Sequence, residues 1–277
     1  MTIEVKLIEF SRNTDGEELA TLQLRYPRFI HSEFMTHRMF SRNASSSRAK
    51  PFYRWVDEIK NDLAFPEEIF ENIPGMQGGK KLLDKEFDLV KKYIQYLASD
   101  TIEDLENIND LFYPHKQFIN RYLEPFTHID VIVTSTEWKN FFKLRDHPDA
   151  DPTIHALASK MKEVLSNAKY KLLKRGEWHL PYVLQNEREQ FTREVLCNIS
   201  AARCARVSYS NHDGTNPVIA GDLQLAKTLR EAGHMSPFEH QATPLLDRDQ
   251  DGFTHKDKYR DLWSGNFRGW VQYRNVI

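Results

Sequence analysis

Thr36-His37-Arg38-Met39-Phe40-Ser41-Arg42-Asn43-Ala44-Ser45-Ser46-Ser47-Arg48 alternates basic side chains with small hydroxyls and has little that is apolar to bury. Guanidinium groups are forked, permanently charged donors, and serine hydroxyls add short ones. A Ser/Asn-rich backbone can also turn tightly enough to aim its own N–H groups at the same anion. Without an anionic partner, Arg38, Arg42 and Arg48 would repel one another. The stretch therefore suits the holding of phosphates. Its plainer reading is a solvated, capped loop, because Ser and Asn are ordinary cap and turn residues.

Upstream, Ile3, Val5 and Leu7 alternate with Glu4 and Lys6, and Leu19 to Tyr26 alternates again before Pro27. With a polar turn from Ser11 to Gly16 between them, these runs predict two antiparallel strands. Phe29 to Met35 then predicts a short helix that delivers His37 and Arg38 at its end. Downstream, Leu83, Phe87, Val90, Ile94 and Leu97 recur at helical spacing over 82–97, a second helix is predicted over 102–113, and a long one over 154–173. A last helix is predicted over 220–232, with Gly233 as its left-handed stop.

The 277 residues are 40% hydrophobic and 12% aromatic, enough for a substantial core. The 38 basic and 40 acidic side chains leave a formal charge of -2, so no overall basic field points to polymeric nucleic acid, and any anion site must be local. Cys197 and Cys204 are too few for a disulfide framework or a four-thiolate metal site, so a cytoplasmic setting is expected. No signal peptide or membrane span is visible in the sequence.

The central stretch resembles the signature of the flavin-dependent thymidylate synthases, Arg-His-Arg-x-x-Ser-x-Asn-Glu-x-Ser-x-Arg-Tyr. His37, Arg38, Ser41, Asn43, Ser46 and Arg48 fall on it in register, while Thr36, Ala44 and Ala49 depart from it. Two further regions are similar to that family. Arg121 shortly before Pro125, with Asn140-x-x-x-x-Arg145, matches its second half, although Thr134 and Thr136 stand where the family has Asn and Arg. Ala205-Arg206-Val207-Ser208 followed by Gly233-His234-Met235-Ser236-Pro237-Phe238-Glu239-His240 matches its Gly-His-x-Ser/Thr-Pro-Phe-Glu-His box. In the family that box comes first; here it comes last, as in a circular permutation, which conserves contacts while changing connectivity.

The resemblance implies a single α+β domain over 1–277, with an antiparallel sheet and long helices. Strands and the basic-serine motif would occupy 1–50, a mainly helical part 51–196, and a permuted flavin-binding segment 197–277. It implies FAD, with NADPH and methylenetetrahydrofolate as co-substrates, one-carbon transfer to C5 of a pyrimidine deoxynucleotide (dUMP to dTMP), and a homotetramer whose sites draw on several subunits. On it, Glu33, Ser46, Arg48, Arg121 and Arg145 would bind nucleotide, Arg145 would stabilise negative charge on the pyrimidine, and His37, Arg38, Asn140, Ser208, His234, Ser236 and Glu239 would surround FAD. No enzyme thiol is required.

Two other readings stand beside this one. Altered residues Glu33, Ala44, Ala49, Thr134 and Thr136 suit a related enzyme acting on dCMP, or a hydroxymethylase. A non-catalytic nucleotide-binding homologue is the reading from a different class. Glu33, where the family has Gln, could repel phosphate, accept a hydrogen bond from an exocyclic amine, or pair with Arg38. A zinc site at His234, Glu239 and His240 is disfavoured, because Pro237 breaks the helical spacing that such motifs use.

Overall fold

The computed structural model describes residues 3–75, 77–207, 215–245 and 264–277. In chain order its elements are β1 (Glu4–Asn13), β2 (Glu18–Pro27), α1 (His31–Met35), β3 (Ser41–Ala44), α2 (Phe52–Asn61), α3 (Asp84–Phe112), α4 (Lys116–Ile119), β4 (His128–Ser135), α5 (Lys139–Arg145), α6 (Pro152–Ser166), β5 (Lys171–Leu173), α7 (Gln185–Gln190), α8 (Arg193–Arg206), α9 (Ile219–Glu231), β6 (Ala242–Pro244) and β7 (Trp270–Gln272).

The expected strand pair forms: β1 and β2 run antiparallel, Glu4 opposite Arg25 and Arg12 opposite Glu18. The sheet order is β3-β4-β2-β1-β5, so β4 lies beside β2 near its middle. The mainly helical part expected over 51–196 thus contains a core strand. Its β-branched run Val131-Ile132-Val133 suits a pleated, fully buried surface, and all three side chains are inaccessible. The sheet is also not wholly antiparallel, because β5 pairs parallel to β1. The helix expected to reach Leu173 stops at Ser166, and residues 171–173 use the open backbone edge of β1 instead. Leu173 is thereby buried with Leu19 and Trp270.

Period-two alternation gives the sheet two different faces. Leu22, Leu24 and Tyr26 of β2, with Ile129, Val131 and Val133 of β4, pack against Phe141 of α5 and Ile154, Leu157, Ala158 and Met161 of α6. The opposite face carries Thr21, Ile132 and Thr134. There Ile132 meets Cys204 and Val207 at the end of α8.

The two helices expected over 82–97 and 102–113 are one helix of 29 residues, α3. Residues 98–101 contain neither Gly nor Pro to break it, and the Thr101 hydroxyl folds back to donate to the Leu97 carbonyl at 2.7 Å. Only its C-terminal half is buried, through Ala98, Ile102 and Leu105. Leu83 and Leu97 of the expected stripe stay 61% and 54% exposed.

Polar groups organise the sheet's second face. His179 Nδ1 and the Ser11 hydroxyl share a hydrogen bond of 2.8 Å, and His179 Nε2 and Thr21 Oγ1 share one of 2.7 Å. Thr21 Oγ1 is 2.7 Å from Thr134 Oγ1, which lies 2.8 Å from His240 Nδ1. Burial pushes His240 down to about 3 and holds His179 well below the usual imidazole range, so both rings are neutral. Thr134 is therefore a link in a buried chain that joins β2 and β4 to residues 179 and 240. A second buried group locks α7, α8 and α9 together: Arg203 donates to both oxygens of Glu187 at 2.6 and 2.7 Å and to Asp222 at 3.0 Å, and Arg206 also pairs with Asp222.

Candidate functional site

A cavity of about 220 Å³ opens beside the sheet, between the turn after α1 and the length of α5. Thr36, His37, Arg38, Met39 and Phe40 form one wall, and Asn140, Phe141, Leu144 and Arg145 the other. Four sequence-predicted residues, His37, Arg38, Asn140 and Arg145, thus meet in one place. Their two segments are brought together by aromatic packing underneath. Phe40 sits 5.2 Å from Phe141 and 4.9 Å from Trp138, while Phe34 lies 5.8 Å from Phe141, edge to face.

The His37 ring stands edge-on to Phe141 at 4.8 Å. Its Nε2 accepts a hydrogen bond from Arg145 Nε at 3.1 Å, which leaves the ring proton on Nδ1. Burial lowers the His37 pKa, and the Arg145 and Arg42 guanidiniums lower it further. A neutral imidazole is what the Arg145 contact needs. Arg145 Nη1 also donates to Glu33 Oε1 at 3.4 Å. The partner of Glu33 is therefore Arg145, not Arg38.

The three arginines of the motif do not act as one cluster. Arg38 is exposed at the cavity. Arg42 turns back and gives Nη1 to the carbonyls of Phe34, Met35 and His37, at 3.3, 3.0 and 3.2 Å, satisfying the open C-terminal end of α1. Arg48 lies beyond the far end of β3, where the Ser46 hydroxyl accepts from its backbone N–H at 3.2 Å. That turn is anchored by Asn120, whose side chain donates to the carbonyls of Ser47 and Lys50 at 2.7 and 3.1 Å. Exposed Arg121, next in the chain, donates Nε to the Gln117 carbonyl at 3.1 Å. Ser46, Arg48 and Arg121 are thus associated with one end of β3, and His37, Arg38, Asn140 and Arg145 with the other.

The box over 233–240 comes to the motif. Gly233, at φ +75°, closes α9: its N–H reaches the Arg230 carbonyl at 3.0 Å, and that of His234 reaches Leu229 at 2.8 Å. The 3-10 turn Ser236–Glu239 then packs against β3. Gln272 fixes that contact by donating Nε2 to Ser41 Oγ at 3.1 Å and to the Glu239 carbonyl at 2.9 Å. His234 and Ser236 are exposed, and the Glu239 carboxylate pairs with Arg274. His240, by contrast, is buried on Thr134, so it does not share a surface with His234. Among the described residues, no three His, Cys, Asp or Glu side chains are grouped to hold a metal ion. Ser208 lies outside the described residues.

Several contributors escape a reading of the sequence. Gln272 and Asn266 both donate to the Ser41 hydroxyl, and the backbone N–H of Arg268 donates to Thr136, so the C-terminal segment braces the motif. Nothing local in residues 264–277 signals this, because the partners stand 225 and 231 positions away. The two thiols are buried; burial pushes Cys197 up to about 12 and Cys204 higher still, so neither is a poised nucleophile. Among the described residues, no helix is long and apolar enough to cross a membrane.

Fold and cavity together define a mixed α+β protein with an arginine- and amide-lined pocket beside its core sheet. No protein-family model matches the chain, and no curated protein matches it. Among solved structures, it is similar to the UMP/dUMP methylase PolB from Streptomyces cacaoi bound with 5-Br UMP, at TM-score 0.47 and 18% identity, covering 60% of this chain and 89% of that one. It is also similar to the flavin-dependent thymidylate synthase ThyX from Helicobacter pylori complexed with FAD and dUMP, at TM-score 0.35 and 14% identity, covering 53% of this chain and 67% of that one.

Proposed function

We propose that this chain is a flavin-dependent enzyme transferring a one-carbon unit to C5 of a pyrimidine deoxynucleotide, with methylenetetrahydrofolate as carbon donor and NADPH as reductant. The observation that carries the reading is the meeting of His37 and Arg38 with Asn140 and Arg145 in one cavity, from segments about a hundred residues apart. The resemblance assigns His37, Arg38 and Asn140 to the flavin and Arg145 to the pyrimidine. The packing of Ser236–Glu239 against β3 supports a chain whose flavin segment has moved to the end.

The donor set suits FAD. Arg38 supplies an exposed guanidinium for phosphate, Asn140 an amide for a ring or ribose, and His37 an Nδ1–H held in one orientation by its Nε2 bond to Arg145. When bound, FAD would supply the redox chemistry, while the protein binds, orients and polarises. Arg145, fixed by His37 and Glu33, would face the pyrimidine and stabilise negative charge as C5 becomes nucleophilic.

A cavity of about 220 Å³ holds only part of a dinucleotide, since sites for ligands of drug size run from about 300 to 1,000 Å³. The separation of Ser46, Arg48 and Arg121 from Arg145 points the same way: a complete site draws these groups from more than one copy. The exposed ridge of α3 offers a surface for such assembly, with Tyr93, Tyr96, Leu111 and Phe112 at 65%, 67%, 75% and 75% accessible. We read the assembly as a homotetramer, working in the cytoplasm.

Titration of the purified protein with FAD at low ionic strength tests the reading. Flavin fluorescence should be quenched saturably, and Arg38→Ala should weaken the quench. Unchanged fluorescence at saturating protein would overturn the assignment.

A further inference from the structure

We propose that the Glu33–Arg145 pair is a base reader that selects a cytosine deoxynucleotide over the uracil one. This rests on the pyrimidine-nucleotide reading above and deepens it.

The pair joins α1 to the cavity wall formed by α5. Glu33 comes from α1 and Arg145 from the last position of α5, 112 residues later, and the two face each other at 3.4 Å with side chains 40% and 21% exposed. Arg145 lines the cavity, and Glu33, though not among its lining residues, is held beside it by the pair. His37 already occupies Arg145 Nε and prevents the guanidinium from swinging away. What remains to be offered to a ligand is the Nη side of the guanidinium and the carboxylate oxygen not used in the pair. A donor and an acceptor therefore stand side by side.

A pyrimidine that turns its N3 and C4 edge to such a pair meets it in one of two ways. Cytosine carries the N4 amine, a donor, next to N3, an acceptor; uracil carries O4, an acceptor, next to N3–H, a donor. A carboxylate can only accept and a guanidinium can only donate. Cytosine satisfies both, with N4–H donating to Glu33 and Arg145 donating to N3. Uracil in the same pose turns O4 toward the carboxylate and N3–H toward the guanidinium, so both contacts become repulsive. Discrimination of this kind comes from the mismatch as much as from the match. It is worth on the order of tenfold or more in affinity for a paired contact to a base.

The position of Glu33 favours a role at the base over one of repelling phosphate. Its charge is answered by Arg145, the residue read as facing the base, whereas Arg48 sits beyond the other end of β3. Replacing the carboxylate with an amide would remove the selection without removing the site, because Gln both donates and accepts.

The test is calorimetric titration of the FAD-incubated protein with dCMP and with dUMP, repeated on Glu33→Gln. We expect dCMP to bind at least about tenfold more tightly to the native protein, and Glu33→Gln to bring the two affinities together or favour dUMP. Equal affinity, or tighter dUMP, on the native protein would overturn the inference and leave the nucleotide site standing. A preference for dCMP that survives in Glu33→Gln would overturn Glu33 as the reader. Binding of neither nucleotide would instead refute the underlying functional reading. The native comparison needs no variant, so a poorly folding Glu33→Gln protein does not shelter the proposal.

Discussion

Arg145→Lys separates chemistry from architecture at this site. Arg145 spans two partners, with Nε on His37 at 3.1 Å and Nη1 on Glu33 at 3.4 Å. A lysine keeps the charge but carries a single nitrogen, and loses the planar fork. The lost bond from a charged donor to His37 costs about 1.5–3 kcal/mol locally. The exposed side of the pair with Glu33 contributes about 0–1 kcal/mol, given solvent screening. The fold itself is kept, because α5 is anchored by Phe141, which is 1% exposed, within the aromatic group of Phe34, Phe40 and Trp138. Turnover should suffer most: removing a donor aimed at developing charge costs about 10²–10³-fold. Urea unfolding, FAD fluorescence and nucleotide turnover should be measured on the same preparations. The expected pattern is an unfolding free energy lowered by no more than the about 1.5–3 kcal/mol of that bond, flavin affinity altered a few-fold at most, and turnover reduced by about two orders of magnitude or more. Parallel loss of flavin binding and turnover would refute the reasoning and make Arg145 a structural residue.

Two further outcomes follow from buried polar groups. His31 and His128 are each pushed down to about 4, burial being the leading cause. A base whose native value lies below its unfolded value gains protons on unfolding, so stability is unaffected above pH 6.5 and falls as the pH drops from there toward 4. Buried Glu9 and Asp130, both raised, act in the opposite sense, so the readout is the difference between proteins: His31→Asn should lose less stability between pH 7 and pH 5 than the native chain. Equal losses would contradict a neutral, buried His31. Arg203→Met should destabilise by about 3–5 kcal/mol in urea, because it strands the Glu187 carboxylate in the interior and leaves Asp222 with Arg206 alone. A change below about 1 kcal/mol would contradict the network's burial.

How far the sequence speaks depends on the range of the interaction. Alternation made β1 and β2 legible, and Gly233 announced the end of α9, because both signals are local. The continuity of α3 was also there to be read, in the absence of Gly or Pro from 98–101. β4 is less legible, because a short apolar run such as Val131-Ile132-Val133 has no alternation to separate a fully buried strand from a buried helix segment. The His179 region, left without a role, takes its meaning from Ser11 and Thr21, which are 168 and 158 positions away. At the site, the sequence names His37, Arg38, Asn140 and Arg145 one by one, and it is the packing of Phe40 on Phe141 and Trp138 that brings them to one cavity. The Glu33–Arg145 pairing is not legible, since sequence gives a carboxylate's presence but not its partner.

The most direct measurement is mass spectrometry of nucleotides recovered after incubating the protein with dCMP or dUMP, methylenetetrahydrofolate, FAD and NADPH. The expected product is a nucleotide carrying one added carbon at C5, formed only when flavin and folate are both present and formed about 100-fold more slowly by Arg145→Lys. Unmodified dCMP and dUMP, recovered from protein that demonstrably binds FAD and nucleotide, would contradict it.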